Sequence, residues 1–228
     1  MLSVTQQKPW DEVTQAIGQC KSIYLIGCGT CTTMLHTGGK AEVLAMKDKL
    51  IADGKNVVGW MVIPTACDEI TKYAIDANEK ELQAADCLLV TSCAFGVQRV
   101  TQWTNKPAIP AVNTMFIGKE DGQTYSEVCK QCGNCVLAWT GGVCPVTSCP
   151  KGLLNGPCGG TNKGKCEVDP TKDCAWTLIY KKLEKQGRLD LLEKEQPPMN
   201  YAAVIRPGRV INKDDAGEKV EFTISKKQ

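Results

Sequence analysis

The side chains of this 228-residue chain that carry the most chemistry are its 14 cysteines, set beside a single histidine, His36. Thiols in such number form disulfides in an oxidising compartment or bind metal in a reducing one. The start, Met1 to Trp10, lacks the charged and then apolar regions of a signal peptide, and no apolar run approaches the roughly 20 residues that cross a bilayer. The expected setting is a reducing cytoplasm without membrane insertion, and the cysteines read as thiolate ligands. With one imidazole available, the sites are nearly all sulfur, which selects iron-sulfur clusters or zinc.

Four cysteines follow apolar runs that read as strands. Cys28 and Cys31 follow Ser22-Ile-Tyr-Leu-Ile-Gly27, Cys67 follows Val57-Val-Gly-Trp-Met-Val-Ile63, and Cys93 follows Cys87-Leu-Leu-Val-Thr91. In an open parallel sheet the carboxyl ends of neighbouring strands face one crevice, so these four thiols should converge from three loops. Four thiolates are what a 4Fe-4S cubane requires, and the small residues at 27, 29, 30, 66 and 92 let backbone amides approach its sulfides. The bland reading is a set of ordinary core cysteines, which need not fall at equivalent ends of three successive strands. Gly27-x-Gly29 is a weak dinucleotide signal, because position 32 is Thr32 and no acidic residue ends the second strand. His36 reads as a surface or supporting group, with a three-thiolate, one-imidazole site as the alternative.

A second group lies further along. Cys129, Cys132 and Cys135 form a Cys-x2-Cys-x2-Cys run, the opening of the bacterial ferredoxin signature, but its fourth position is Trp139. Cys-Pro comes instead at Cys144 and again at Cys149, and Cys158, Cys166 and Cys174 follow among Gly, Pro, Asn and Lys. These eight suffice for two four-ligand sites, both clusters or one of them a closed zinc site, and the sequence leaves their pairing open. Cys20 and Cys87, in apolar surroundings, are then plain core residues.

The elements that must hold these sites can be read from periodicity. Helical spacing is expected over 9 to 20, 39 to 53, 68 to 85, 97 to 103 and 175 to 187, with a fourth extended run at Ala108 to Val112 placed at a sheet edge by Pro107 and Pro110. The expected fold is a small doubly wound α/β domain of Rossmann or flavodoxin type (residues 1 to 122). It is followed by a metal-stapled, ferredoxin-like segment (123 to 190) and a tail (191 to 228) that docks on a partner or forms an extra strand pair. Lys and Arg number 27 against 25 Asp and Glu, a formal charge of +2 that points to no nucleic acid partner. No nucleophile, base and orienter set is present, so substrate acid-base chemistry is not expected of this chain.

Residues 140 to 149 (Thr-Gly-Gly-Val-Cys-Pro-Val-Thr-Ser-Cys), 151 to 160 (Lys-Gly-Leu-Leu-Asn-Gly-Pro-Cys-Gly-Gly), 164 to 168 and 173 to 176 resemble the C-terminal domain associated with methylenetetrahydrofolate reductase. They are most like its stand-alone form, the small MetV-type iron-sulfur and zinc subunit of acetogenic bacteria. The resemblance implies a flavin-bearing (FMN or FAD) barrel subunit as partner in a hetero-oligomer. That subunit reduces methylenetetrahydrofolate to methyltetrahydrofolate in the reductive acetyl-CoA pathway. It also implies an electron donor such as ferredoxin or an NADH-oxidising iron-sulfur module. The role implied for this chain is electron transfer through two or three 4Fe-4S clusters, with zinc as an alternative occupant of one site. The competing classes are a structural zinc module of the same complex and a self-contained flavin or nicotinamide oxidoreductase.

Overall fold

The structure, a computed structural model, describes residues 2 to 204 and 206 to 208. The chain divides into two compact units, Met1–Ser126 and Glu127–Gln228.

The first unit is built on a parallel sheet of β2 (Ser22–Cys28), β3 (Asn56–Ile63), β4 (Cys87–Thr91) and β5 (Ala108–Pro110), in the order β3-β2-β4-β5. Alternation along the two central strands sends Ile23, Leu25 and Leu89 to one face and Tyr24, Ile26, Leu88 and Val90 to the other. The first set packs with Val13 and Ile17 of α1 (Trp10–Ile17) and Val43 and Leu50 of α3 (Lys40–Ala52). The second packs with Ile75 of α4 (Ile70–Ala77), Leu82 of α5 (Glu79–Gln83) and Val100 of α6 (Ala94–Trp103). Both faces are covered, which is why the central strands read as unbroken apolar runs. Each such side chain, fully withdrawn from water, contributes roughly 1.5 to 3 kcal/mol. As expected from its prolines, β5 pairs only with β4 and lies at an edge.

Two features depart from the periodicity reading. The long helix expected over 68 to 85 is split at Asn78, whose side-chain amide donates to the Ala74 carbonyl at 2.8 Å and accepts from the Tyr24 hydroxyl at 3.1 Å. Asparagine here satisfies backbone groups that a continuing helix would use, and so ends α4. The chain also forms an antiparallel sheet, β1 (Leu2–Gln7), β6 (Val112–Asp121) and β7 (Thr124–Glu127), in the order β1-β6-β7. Gly122-Gln123 turns β6 into β7, with Gly122 at φ 60°, where a side chain is disfavoured.

The loop from α2 (Cys31–Met34) to α3 is held against the end of β4. The Gly38 carbonyl accepts from the Cys28 N–H at 3.2 Å and the Thr91 hydroxyl at 2.9 Å. A Cβ on Gly38 would stand 1.8 Å from the Thr91 carbonyl oxygen. Gly38→Ala must therefore push the loop off β4. The expected cost is roughly 1 to 3 kcal/mol, visible as a lower urea midpoint. An unchanged midpoint would show that the loop is free to give.

Cys87 is fully buried in the α1/α3 layer, with half-buried Cys20 packed against the same cluster. Burial, then the hydrogen bond with Cys20, push the Cys87 thiol from the usual 9.0 up to about 12. The folded state thus keeps this proton where the unfolded chain has lost it, so stability falls as pH rises from about 9 towards 12. Cys87 should resist alkylation at pH 8 until the protein unfolds. Modification of native Cys87 at the rate of a free thiol would contradict that burial.

In the second unit, α8 (Ala175–Lys185) and a 3-10 turn at Leu189–Glu193 enclose a small core of Cys174, Trp176, Ile179, Leu183 and Leu191. The Cys-rich stretch before α8 consists of turns, short helical pieces including α7 (Pro145–Ser148), and isolated bridges between Asn162, Lys165 and Asp173. Of the tail, Tyr201–Ala203 is a 3-10 turn, and Arg206 donates to the Lys130 and Gln131 carbonyls at 3.3 and 3.0 Å. The extra strand pair expected of the tail would draw on Val220 to Ile224, which lie outside the described residues.

Candidate metal centres

The parallel sheet delivers Cys28, Cys31, Cys67 and Cys93 to one end. Cys28 is the last residue of β2, Cys31 opens α2, Cys67 follows β3 by four residues, and Cys93 caps α6 directly after β4. Their loops interlock: the Gly29 N–H donates to the Ile63 carbonyl at 2.8 Å, and a Cβ on Gly29 would meet the Pro64 carbonyl oxygen at 3.0 Å. Cys28 and Cys93 are buried, Cys31 is half-buried and Cys67 is exposed, so the group has one corner towards solvent. The Cys67 thiol is pushed up by burial first and then by Cys93, Cys28 and Cys31. A cation bound beside Cys67 would offset the cost of ionising it next to three further thiols.

Polar groups around these thiols fit such an occupant. Ser92, next to Cys93, and Ser3 of β1 both bury their hydroxyl oxygens without a hydrogen-bond partner. The Ser3 N–H points at Cys31 Sγ from 3.5 Å, and Thr30 Oγ1 stands 3.3 Å from Cys28 Sγ. Ser92 lies where a bulkier side chain on α6 has no room, since a Cβ on Gly96 would approach its Oγ to 2.1 Å. Donors of this kind tune the basicity and potential of ligating sulfur. Ser3 escaped the sequence reading because β1 lacks alternation and reaches the site from 28 residues away. Ser92 was visible only as a small residue before Cys93.

The eight later cysteines occupy the second unit. Cys149, Cys158, Cys166 and Cys174 line a single cavity of about 20 Å³, with Thr161 and Glu167 on its wall and Lys151 paired to Glu167. Cys174 caps α8. Burial pulls its thiol up, but the Thr177 and Trp176 N–H groups and the Thr161 and Thr177 hydroxyls outweigh this and hold it below the usual thiol value. Cys129, Cys132, Cys135 and Cys144 are left as the other set. Cys129 and Cys135 are exposed, Cys132 and Cys144 half-buried. The Gln131 N–H donates to Cys129 Sγ at 3.4 Å, with Gln131 at φ 50° and Gly133 at φ 73° making the tight turns between the thiols. Cys132 shares a cavity wall with Cys149. Among the described residues, no three Cys, His, Asp or Glu side chains are drawn together closely enough to form a finished metal-ligating set. His36, at φ 52°, ends the turn after α2.

Residues 109 to 202 match the family model described as Methylene-tetrahydrofolate reductase C terminal. This match supports that family. It takes in β6, β7, all eight later cysteines and α8, and leaves Cys28, Cys31, Cys67 and Cys93 outside it. No curated protein and no solved structure matches the chain. A methylene-tetrahydrofolate reductase C-terminal match is consistent with a subunit of that reductase, and suggests a complex with its other components. Among the described residues no helix is long and apolar enough to cross a membrane.

Proposed function

We propose that this chain is the electron-transfer subunit of a methylenetetrahydrofolate reductase, of the MetV type, and that it relays electrons through iron-sulfur clusters to the flavin of a catalytic barrel subunit. The observation that carries the reading is that three neighbouring strands of one parallel sheet run at the same end into cysteine, Cys28 with Cys31, Cys67 and Cys93. Cys28, Cys31, Cys67 and Cys93 would hold one 4Fe-4S cluster. Cys129, Cys132, Cys135 and Cys144 would hold a second, and Cys149, Cys158, Cys166 and Cys174 a third metal, cluster or zinc. A cluster so held supplies storage and transfer of single electrons at low potential.

The chain's own residues do the rest. The Ser3 N–H stabilises negative charge on Cys31 as the Gln131 N–H does on Cys129, which favours the reduced state at each site. Cys28 and Cys93 are buried away from water, while exposed Cys67 leaves one side open to a redox partner. The reductase C-terminal match supports the wider reading, that this chain works in a complex with other components of that reductase.

The test is reduction by a physiological-type donor. Anaerobically prepared chain should bleach in its sulfur-to-iron absorption on addition of reduced ferredoxin, then reduce the flavin of the barrel subunit when mixed with it. A chain that takes up no electrons yet raises the barrel subunit's stability would instead be a structural zinc module.

A further inference from the structure

In the second unit a cleft of about 650 Å³ opens beside the cavity of Cys149, Cys158, Cys166 and Cys174. It is within the size range of small-molecule sites, and neither the cysteine chemistry nor the fold of the chain uses it. Its walls are aromatic: Trp139, Trp176 and Tyr180, with Leu191 and Leu192. Trp176 is 8% exposed and anchored by an indole N–H bond to the Leu153 carbonyl at 2.9 Å, whereas Trp139 and Tyr180 are 40% and 46% exposed. Two large rings thus stand open to solvent in a cleft that also contains a fixed one. The far rim is pinned by a reciprocal pair, Asn155 donating to the Gln196 carbonyl at 2.9 Å and accepting from its N–H at 2.7 Å. The cleft is therefore pre-formed, not a gap between loose segments.

We infer that this cleft binds a planar, electron-poor heteroaromatic ring, and specifically the isoalloxazine ring of a flavin. Indole and phenol faces are electron-rich, and they stack most favourably on electron-poor rings. Lys194 already shows this preference, holding its ammonium 5.5 Å from the centre of the Trp139 ring. Glu193 and Glu195 flank Lys194 on the lining, so the mouth carries more negative than positive charge. That disfavours ligands with several carboxylates or a phosphate near the ring and favours an uncharged one. The choice of a redox-active ring rests on the electron-transfer reading, because Trp176 and Pro157 line both this cleft and the four-cysteine cavity. A ring seated here would lie one side chain away from those thiols.

The test is equilibrium dialysis of the full chain, prepared anaerobically with its metals, against riboflavin, FMN and folic acid, with iron, zinc and sulfide measured in the same samples. One riboflavin per chain is expected, FMN weaker, and folic acid absent. Trp139→Ala and Tyr180→Ala, at exposed positions that spare the core, should each weaken riboflavin binding by about tenfold with metal content unchanged. No saturable flavin binding in chain with full metal content would overturn the flavin site and leave the electron-transfer reading standing. Flavin binding unaffected by either substitution, or folic acid binding in place of flavin, would overturn it as well. Riboflavin binding to a chain that carries no reducible metal would uphold the site and sink the electron-transfer reading instead.

Discussion

Cys67→Ala is expected to lose about four of about 12 iron atoms per chain, together with one of its reducible signals. Of the four thiols at the sheet end, Cys67 is the most exposed and contributes least to packing, whereas Cys28 and Cys93 belong to the buried interior. Its replacement should leave the two helix-covered faces of the sheet intact, so far-ultraviolet circular dichroism and the unfolding midpoint of the metal-free chain should barely move. Electron delivery to the flavin subunit should fall by orders of magnitude if this centre lies on the route. Unchanged iron, an unchanged spectrum and an unchanged rate together would mean that these four cysteines are ordinary interior residues, and the site would be abandoned.

Cys166→Ala should have the largest effect on structure. Among the described residues the second unit has five in its buried cluster, one of them Cys174 itself, too few to order the turns between Cys129 and Cys174. Metal bound to four thiolates can contribute on the order of 10 kcal/mol to such a segment. Cys166 is half-buried and outside that cluster, so its loss acts through the metal and not through packing. Limited proteolysis should then cut rapidly between about residues 150 and 174, while the first unit stays resistant. Chelation of the unaltered protein should reproduce the same cuts. Equal resistance in variant and parent would show that the Cys149, Cys158, Cys166 and Cys174 cavity is not a metal staple.

The parallel sheet and the sheet-end cysteines were legible because one physical rule governs both: strands buried on two faces must be continuously apolar, and their carboxyl ends must share a crevice. Ile23 to Ile26 and Leu88 to Val90 announce themselves, and Cys28, Cys67 and Cys93 follow from where those runs stop. β1 and β6 were not legible. β1 buries Leu2, Ser3 and Thr5 without a period of two, and β6 exposes most of its residues. The break at Asn78 was hidden for another reason: the apolar spacing of α4 and α5 continues across it, and only the contact with Tyr24, 54 residues away, shows what the amide does. The division of the eight later cysteines depends on how turns fold back on themselves, which spacing does not encode. The cavity wall shared by Cys149, Cys158, Cys166 and Cys174 is the basis of the division proposed above.

Whether these cysteines hold reducible metal is read from the iron, zinc and acid-labile sulfide content of the chain purified alone under anaerobic conditions, with an electron paramagnetic resonance spectrum after dithionite. The expected result is about 12 iron with matching sulfide, or about eight iron with one zinc, and a spectrum of reduced clusters. Zinc alone, in a colourless protein that gives no signal, would contradict the electron-transfer role and leave a structural subunit.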